Sequence, residues 1–306
     1  MAKFRILSFD GGGIRGVLTA VLLNRLHQQI PTLLDDVHLY AGTSTGGIIA
    51  LGLAAGRTPA EGVALYQKHA PDIFSRTIWR RIGSLWNLIA AKYGNKRLME
   101  ILQQELGDKT LGDLAAQQRF VLIASFDLDG KLRGQQTWKP KFFHNLPGPD
   151  SDRNDKVVDV ALRTSAAPTY FPSHQGYVDG GVAANNPSMA ALAQALDEAS
   201  ANQQLGDIRL LSLGTGQQAY FLRGQTNDWG YVQWAKPLVP LLMEGSMDVA
   251  NYQCQRILGD ARYWRLSPML SRAVALDDVH MIEWLVELAN GVDLAATIDW
   301  IETNFL

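Results

Sequence analysis

The chain has one cysteine in 306 residues, Cys254, so no internal disulfide can staple it. That scarcity fits a reducing compartment, and a lone thiol in an apolar-periodic stretch reads as core filler. Charge is also sparse: 19% of residues, net charge -2, with no polybasic tail and no acidic block. No field of one sign recruits nucleic acid, and any membrane contact has to be local. Long hydrophobic runs are missing too. The longest uncharged one, GGIIALGLAAG, falls far short of the roughly 20 residues a spanning helix needs. The opening MAKFRILSFD enters a strand pattern at once and carries no secretory-signal pattern, so a cytoplasmic protein is expected, at most peripheral at a membrane surface. The 6 histidines lack paired ligand spacing, and Asp127 and Asp129 lack the ligand count of a calcium loop, so neither metal nor cofactor is expected.

What is present is a large apolar fraction, 47%, enough to bury a full core. KFRILSF reads as a strand and VLTAVLLNRLHQQI as a helix; VHLYAG and GGIIALGLAAG repeat that grammar across glycine-rich turns. Two such units argue for parallel strands with crossover helices. RFVLIASFDL and LRGQQTWK read as further strands joined by a hairpin at DLDG, and IRLLSLGTG as another buried strand. NLPGPDSDRND is a polar surface loop. After about residue 217 the patterns turn helical and rich in tryptophan and leucine, and we read them as packing on the same domain.

Three motifs carry chemistry. FDGGGIRG satisfies G-x-G-x-x-G through Gly11, Gly13 and Gly16. That pattern serves a dinucleotide site, but the second strand ends in GTSTGG rather than an acidic residue. The competing reading is a cluster of backbone N–H groups at a helix N-terminus, suited to an oxyanion. Arg15 would then hold the loop through carbonyls or face a lipid phosphate. Gly42-Thr43-Ser44-Thr45-Gly46 is a G-x-S-x-G in strand-turn-helix context, the pattern of a nucleophile elbow, although Thr43, Ser44 and Thr45 also suit a helix cap. In YVDGGVAANNP, Asp179 ends a short strand before Gly180 and Gly181, which leave room around a carboxylate; a plain turn aspartate is the alternative. Asn186-Pro187 reads as a helix start.

With DGGGIRG, GTSTGG, SAAPTYFP, VDGGVAANNP and LSLGTG in that order, the sequence resembles the patatin-like phospholipase family over about residues 4 to 216. The resemblance implies a three-layer α/β/α fold with a mainly parallel sheet, related to the α/β-hydrolase elbow arrangement. It implies one acyl hydrolase domain over residues 1–306, its C-terminal part (217–306) packed on the motif-bearing core. It implies a calcium-independent lipid acyl hydrolase, with phospholipid or glycerolipid as substrate. Ser44 would be the nucleophile, Asp179 its catalytic partner and the backbone of Gly11, Gly12 and Gly13 the oxyanion hole. Asp10, Arg15, Gly16, Gly42, Gly46, Gly180 and Gly181 would support them. An unperturbed aspartate, with a pKa of about 3.9, is a weak base toward a hydroxyl, so desolvation has to raise it.

Rival readings are a Ser-Asp-His esterase using His280 and a non-catalytic nucleotide- or lipid-binding protein. Two further stretches bear on lipid. DIFSRTIWRRIGSLWNLIAAKYG sets Phe74, Ile78, Ile82, Leu85 and Ile89 at helical spacing with Arg76, Arg80 and Arg81, the pattern of a core cap, an interfacial helix or a lid. WGYVQWAKPLVPLLMEGSM, with Trp229, Trp234 and the run Leu238 to Met243, reads first as core packing, with an acyl groove or lipid contact as the alternative.

Overall fold

The computed structural model describes residues 3–74, 91–132, 134–218, 229–234 and 238–306. Its elements, in chain order, begin with β1 (Phe4–Phe9), α1 (Gly16–Gln29), β2 (Leu39–Thr43), α2 (Thr45–Ala54) and α3 (Pro59–Ile73). There follow α4 (Lys96–Leu106), α5 (Leu111–Ala116), β3 (Phe120–Leu132), β4 (Gln135–His144), α6 (Val157–Thr164) and β5 (Tyr177–Asp179). The last third supplies α7 (Ser188–Leu196), β6 (Ile208–Leu213), β7 (Gln217–Gln218), α8 (Leu238–Leu258), β8 (Tyr263–Leu266), β9 (Met269–Leu270) and α9 (Ile282–Gly291).

Alternation along the strands divides the core in two. Leu7 and Phe9 of β1, Tyr40 of β2 and Ile123 of β3 enter one cluster; Ile6, Leu39 and Leu122 enter the other. Successive side chains on a strand point to opposite faces, so the sheet is buried on both. Helices α1, α2, α3 and α9 cover the first face, while α7 and α8 cover the second. The result is a three-layer α/β/α fold. The sheet order is β4-β3-β2-β1-β6-β8, with β5 pairing off β3. The β3-β2-β1-β6-β8 contacts are parallel, and β4 and β5 run antiparallel to β3. Local chemistry sets several helix starts. Thr58 and Glu61 form a capping box with Pro59 in the first turn of α3, and Thr110 and Asp113 form another on α5.

Three expectations need correction. The Asp129-Gly130 pair lies inside β3, where the register against β4 shifts between Asp127 and Gly130; the strand continues to Leu132. An irregular two-stranded ladder thus absorbs the Asp-Gly signal as a bulge. The residues beyond 217 are not all helical packing: β8 extends the central sheet parallel to β6. Leu238, Leu241 and Leu242 are exposed rather than core. Of the basic amphipathic stretch, residues 75–90 lie outside the described residues.

Candidate active site

Strand register assembles the site. Phe9 pairs with Gly42 on one side and Leu213 on the other, so the loops after β1, β2 and β6 emerge at one end of the sheet. Thr43 pairs with Ala124, and the next residue of β3, Ser125, pairs with Asp179 on β5. Ser44, one step beyond Thr43, is therefore brought near Asp179 across the middle of β3, at Ala124 and Ser125. Ligand sites in open α/β sheets form at these carboxyl ends.

Ser44 occupies a sharp turn into α2, with φ 54 and ψ -123. A positive φ on a residue other than glycine stores on the order of 1–3 kcal/mol of strain, which the surroundings must hold. Here Gly42 and Gly46 make the turn possible. A Cβ on Gly42 would collide with the Gly46 carbonyl, and one on Gly46 with the Phe9 carbonyl. The Ser44 N–H donates to Thr164 Oγ1 at 2.8 Å, and Thr164 in turn donates to the Ala124 carbonyl at 2.5 Å. Thr43 Oγ1 donates to the Ala184 carbonyl at 2.7 Å, tying the elbow to the segment after Asp179. The positive end of the α2 dipole lies at the serine.

Ser44 and Asp179 are 8% and 4% exposed, so water is nearly excluded from both. The Ser44 side chain is close enough to the Asp179 carboxyl to lower its proton affinity, and the Gly181 N–H donates to Asp179 Oδ1 at 2.7 Å. Burial pushes the Asp179 pKa up to about 6, opposed by the Ser44 side chain and the Gly181 amide. Gly180, at the start of the same turn, lies so close to β3 that a Cβ would strike the Ala124 carbonyl.

The glycine loop stands opposite. Gly12 and Gly13 line the cavity that holds Ser44 and Asp179, and their N–H groups have no protein acceptor among the described residues. The Gly11 N–H is different: it donates to the Asn185 carbonyl at 2.9 Å. Of the three glycine amides, those of Gly12 and Gly13 alone have no acceptor among the described residues. Gly13 has φ +58, and a Cβ there would meet the Leu276 carbonyl, which accepts from the Ile14 N–H at 2.8 Å. Arg15 is buried and donates to the carbonyls of Gly12 and Gly216 at 3.4 Å each, with Glu244 of α8 at 3.7 Å. Gly16 packs its bare Cα against Thr45 and Tyr66.

Asp10 is buried completely and faces Arg265 of β8 through contacts of 2.5 and 3.2 Å. Arg265 also donates to Ser212 Oγ at 2.7 Å. Burial pushes the Asp10 carboxyl up and works against the Arg265 charge. The bidentate contact nevertheless holds Arg265 above its usual value, so we read the pair as ionised. Sequence reasoning found neither Arg265 nor Thr164. Both act across the sheet, and neither sits in a motif or at a fixed spacing from its partner.

The cavity measures about 190 Å³, and its walls are mostly apolar, including Ile48, Leu65, Phe74, Leu102 and Phe171. Ser165, Ala167, Pro168 and Tyr170 of the SAAPTYFP stretch also line it, with Leu242 and Met243 of α8. Among the described residues no histidine lines it, and His280 is exposed in a short 3-10 turn before α9. A hydroxyl, a carboxyl that takes a proton near neutrality, two unengaged amides and an apolar chamber can together support acyl transfer.

Fold and site together define a class: a three-layer α/β protein whose strand-serine-helix turn opens into an apolar cavity. The chain belongs to the patatin-like phospholipase family, whose model matches residues 7–192, and so to a family of lipid hydrolases. It is 34% identical to the putative sporulation hydrolase CotR of Bacillus subtilis (strain 168), across 100% of this chain and 99% of that one. Identity to a cGAMP-activated phospholipase of Escherichia coli (strain TW11681) is 35%, over 72% of this chain and 64% of the relative. The crystal structure of VipD from Legionella pneumophila aligns with a TM-score of 0.44 at 12% identity, covering 94% of this chain and 67% of that one.

Proposed function

We propose that this protein is a calcium-independent serine acyl hydrolase of phospholipids or related glycerolipids, one domain working through a Ser44–Asp179 dyad. The observation that carries the reading is that the buried side chains of Ser44 and Asp179 share the wall of one apolar cavity with Gly12 and Gly13. Asp179 takes the hydroxyl proton as Ser44 Oγ attacks the ester carbonyl carbon. The oxygen that becomes negative accepts from the Gly12 and Gly13 N–H groups. Collapse of the tetrahedral intermediate expels the alcohol, which leaves with the proton from Asp179, and an acyl-Ser44 ester remains. Asp179 then draws a proton from water, whose oxygen attacks the acyl carbon; the fatty acid departs and Ser44 regains its proton.

Burial is what makes a carboxylate sufficient without an imidazole. A general base works best with a pKa near the operating pH, and desolvation raises Asp179 toward it. The apolar lining suits an acyl chain, which on entering excludes the remaining water and favours the proton transfer further. No step calls for a metal, so activity persists in excess chelator. The test is covalent labelling by a fluorophosphonate probe, followed by mass spectrometry of the products from mixed natural lipids. Labelling of wild type but not of Ser44→Ala, with fatty acid released in chelator, supports the reading. Equal labelling of both proteins refutes it.

A further inference from the structure

Helix α8 is apolar on two opposite faces. Met247, Ala250, Cys254 and Leu258 recur at helical spacing and are buried under the sheet, against α7 and β8. Half a turn round, Leu238, Leu241, Leu242, Val249 and Tyr252 form a second stripe that faces solvent. Leu242 is 59% exposed, Val249 56% and Tyr252 62%. A helix on a protein surface normally turns a polar face outward, and contiguous exposed apolar surface marks an interaction site.

The stripe leads to the candidate site. Leu242 lines the cavity that contains Ser44 and Asp179, and Val182, 49% exposed, lines it from the turn after Asp179. From Leu238 to Tyr252 the helix rises roughly 20 Å, a length that lies flat on a bilayer surface with its end at the cavity mouth.

We propose that this face of α8 docks the protein on a zwitterionic lipid bilayer and holds the cavity mouth against it. The inference rests on the lipid hydrolase reading. Continuity with the mouth selects the occupant: an acyl chain has to pass from a bilayer to Ser44 over Leu242 and Val182, and a second copy seated there would seal that path. Charge selects the surface. Asp248 flanks the stripe exposed, and the cation at its far end, Arg256, stacks over the Tyr252 ring at 5.4 Å. Asp248 and Arg256 offset each other, so the stripe presents no net charge to a headgroup, and attachment comes from apolar burial and resists salt.

The test uses the full chain, phosphatidylcholine vesicles and the double variant Val249→Asp/Tyr252→Asp, whose positions lie away from the cavity. Wild type is expected to float with vesicles and to remain bound in high salt. The double variant loses vesicle binding and vesicle-lipid hydrolysis by about 10- to 100-fold, while its rate on a soluble short-chain ester stays within about twofold of wild type. Val249→Trp raises vesicle binding, which guards against a folding artefact. Unchanged vesicle binding in the double variant overturns the proposal. So does a wild-type dimer in sedimentation that the same two substitutions split into monomers. If the hydrolase reading alone fails, soluble-ester turnover is absent in wild type while vesicle flotation remains.

Discussion

Two buried aspartates stand at the same end of the sheet, and their surroundings differ. Asp10 has a guanidinium across from it, with Arg265 gripping both carboxylate oxygens. Asp179 has no cation among the groups that set its proton affinity, only the Ser44 side chain and the Gly181 amide. Burial raises both carboxyls; at Asp10 the Arg265 charge opposes the rise, and a net rise remains. At Asp179 little answers it, and the pKa rests near 6. One carboxylate is paired with a guanidinium that ties β1 to β8; the other has a hydroxyl and an amide beside it. A cation beside Asp179 would hold its proton affinity down and weaken it as the base of the proposed mechanism.

The largest expected effect breaks the pair at Asp179. Asp179→Asn keeps the shape and removes the base, so kcat falls on the order of 10⁴-fold with the fold intact; ester turnover alongside circular dichroism measures it. Next comes Arg265→Met, which strands the Asp10 charge in the core. It costs about 3–5 kcal/mol of unfolding free energy near neutral pH. The deficit shrinks as pH falls, because Asp10 then takes a proton, and urea melts at several pH values follow it.

The third effect runs the other way. Burial pushes the Asp179 carboxyl up to about 6 in the fold from an ordinary 3.8, so the folded state binds its proton more tightly. Ionising it therefore costs the fold about 3 kcal/mol above pH 7, a penalty that fades as pH falls through 6 and vanishes below 3.8. Wild type should thus gain up to about 3 kcal/mol relative to Asp179→Asn between pH 8 and pH 4, again by urea melts. The smallest effect is Thr164→Val, which leaves the Ser44 N–H and the Ala124 carbonyl without their shared hydroxyl. Stability drops by about 1–3 kcal/mol and the strained serine loosens, so kcat falls more than KM rises.

The contrast between the aspartates also explains what the sequence could reveal. Ser44, Asp179 and the glycine turns were legible because each is bound to backbone geometry: at Gly42 and Gly46 a Cβ would meet backbone, and such turns leave a local signature. The parallel strands were legible from runs buried on both faces. Arg265 was not, since its partner lies 255 positions away and its strand, YWRL, has only 4 residues. Thr164 acts through one hydroxyl at a helix end, with no pattern around it. The outer face of α8 was misread for a different reason. Apolar periodicity says that a stripe exists, not what covers it, so Leu241 and Leu242 look like core until burial is known.

The most direct test of the account is the pH dependence of kcat/KM on a soluble short-chain ester between pH 4 and 9, for wild type, Asp179→Asn and His280→Ala. The account predicts that wild type and His280→Ala rise together to a plateau with a midpoint near pH 6, the value to which burial raises Asp179, while Asp179→Asn stays near background throughout. A wild-type profile flat through pH 6, or turnover that collapses in a folded His280→Ala protein, would contradict it.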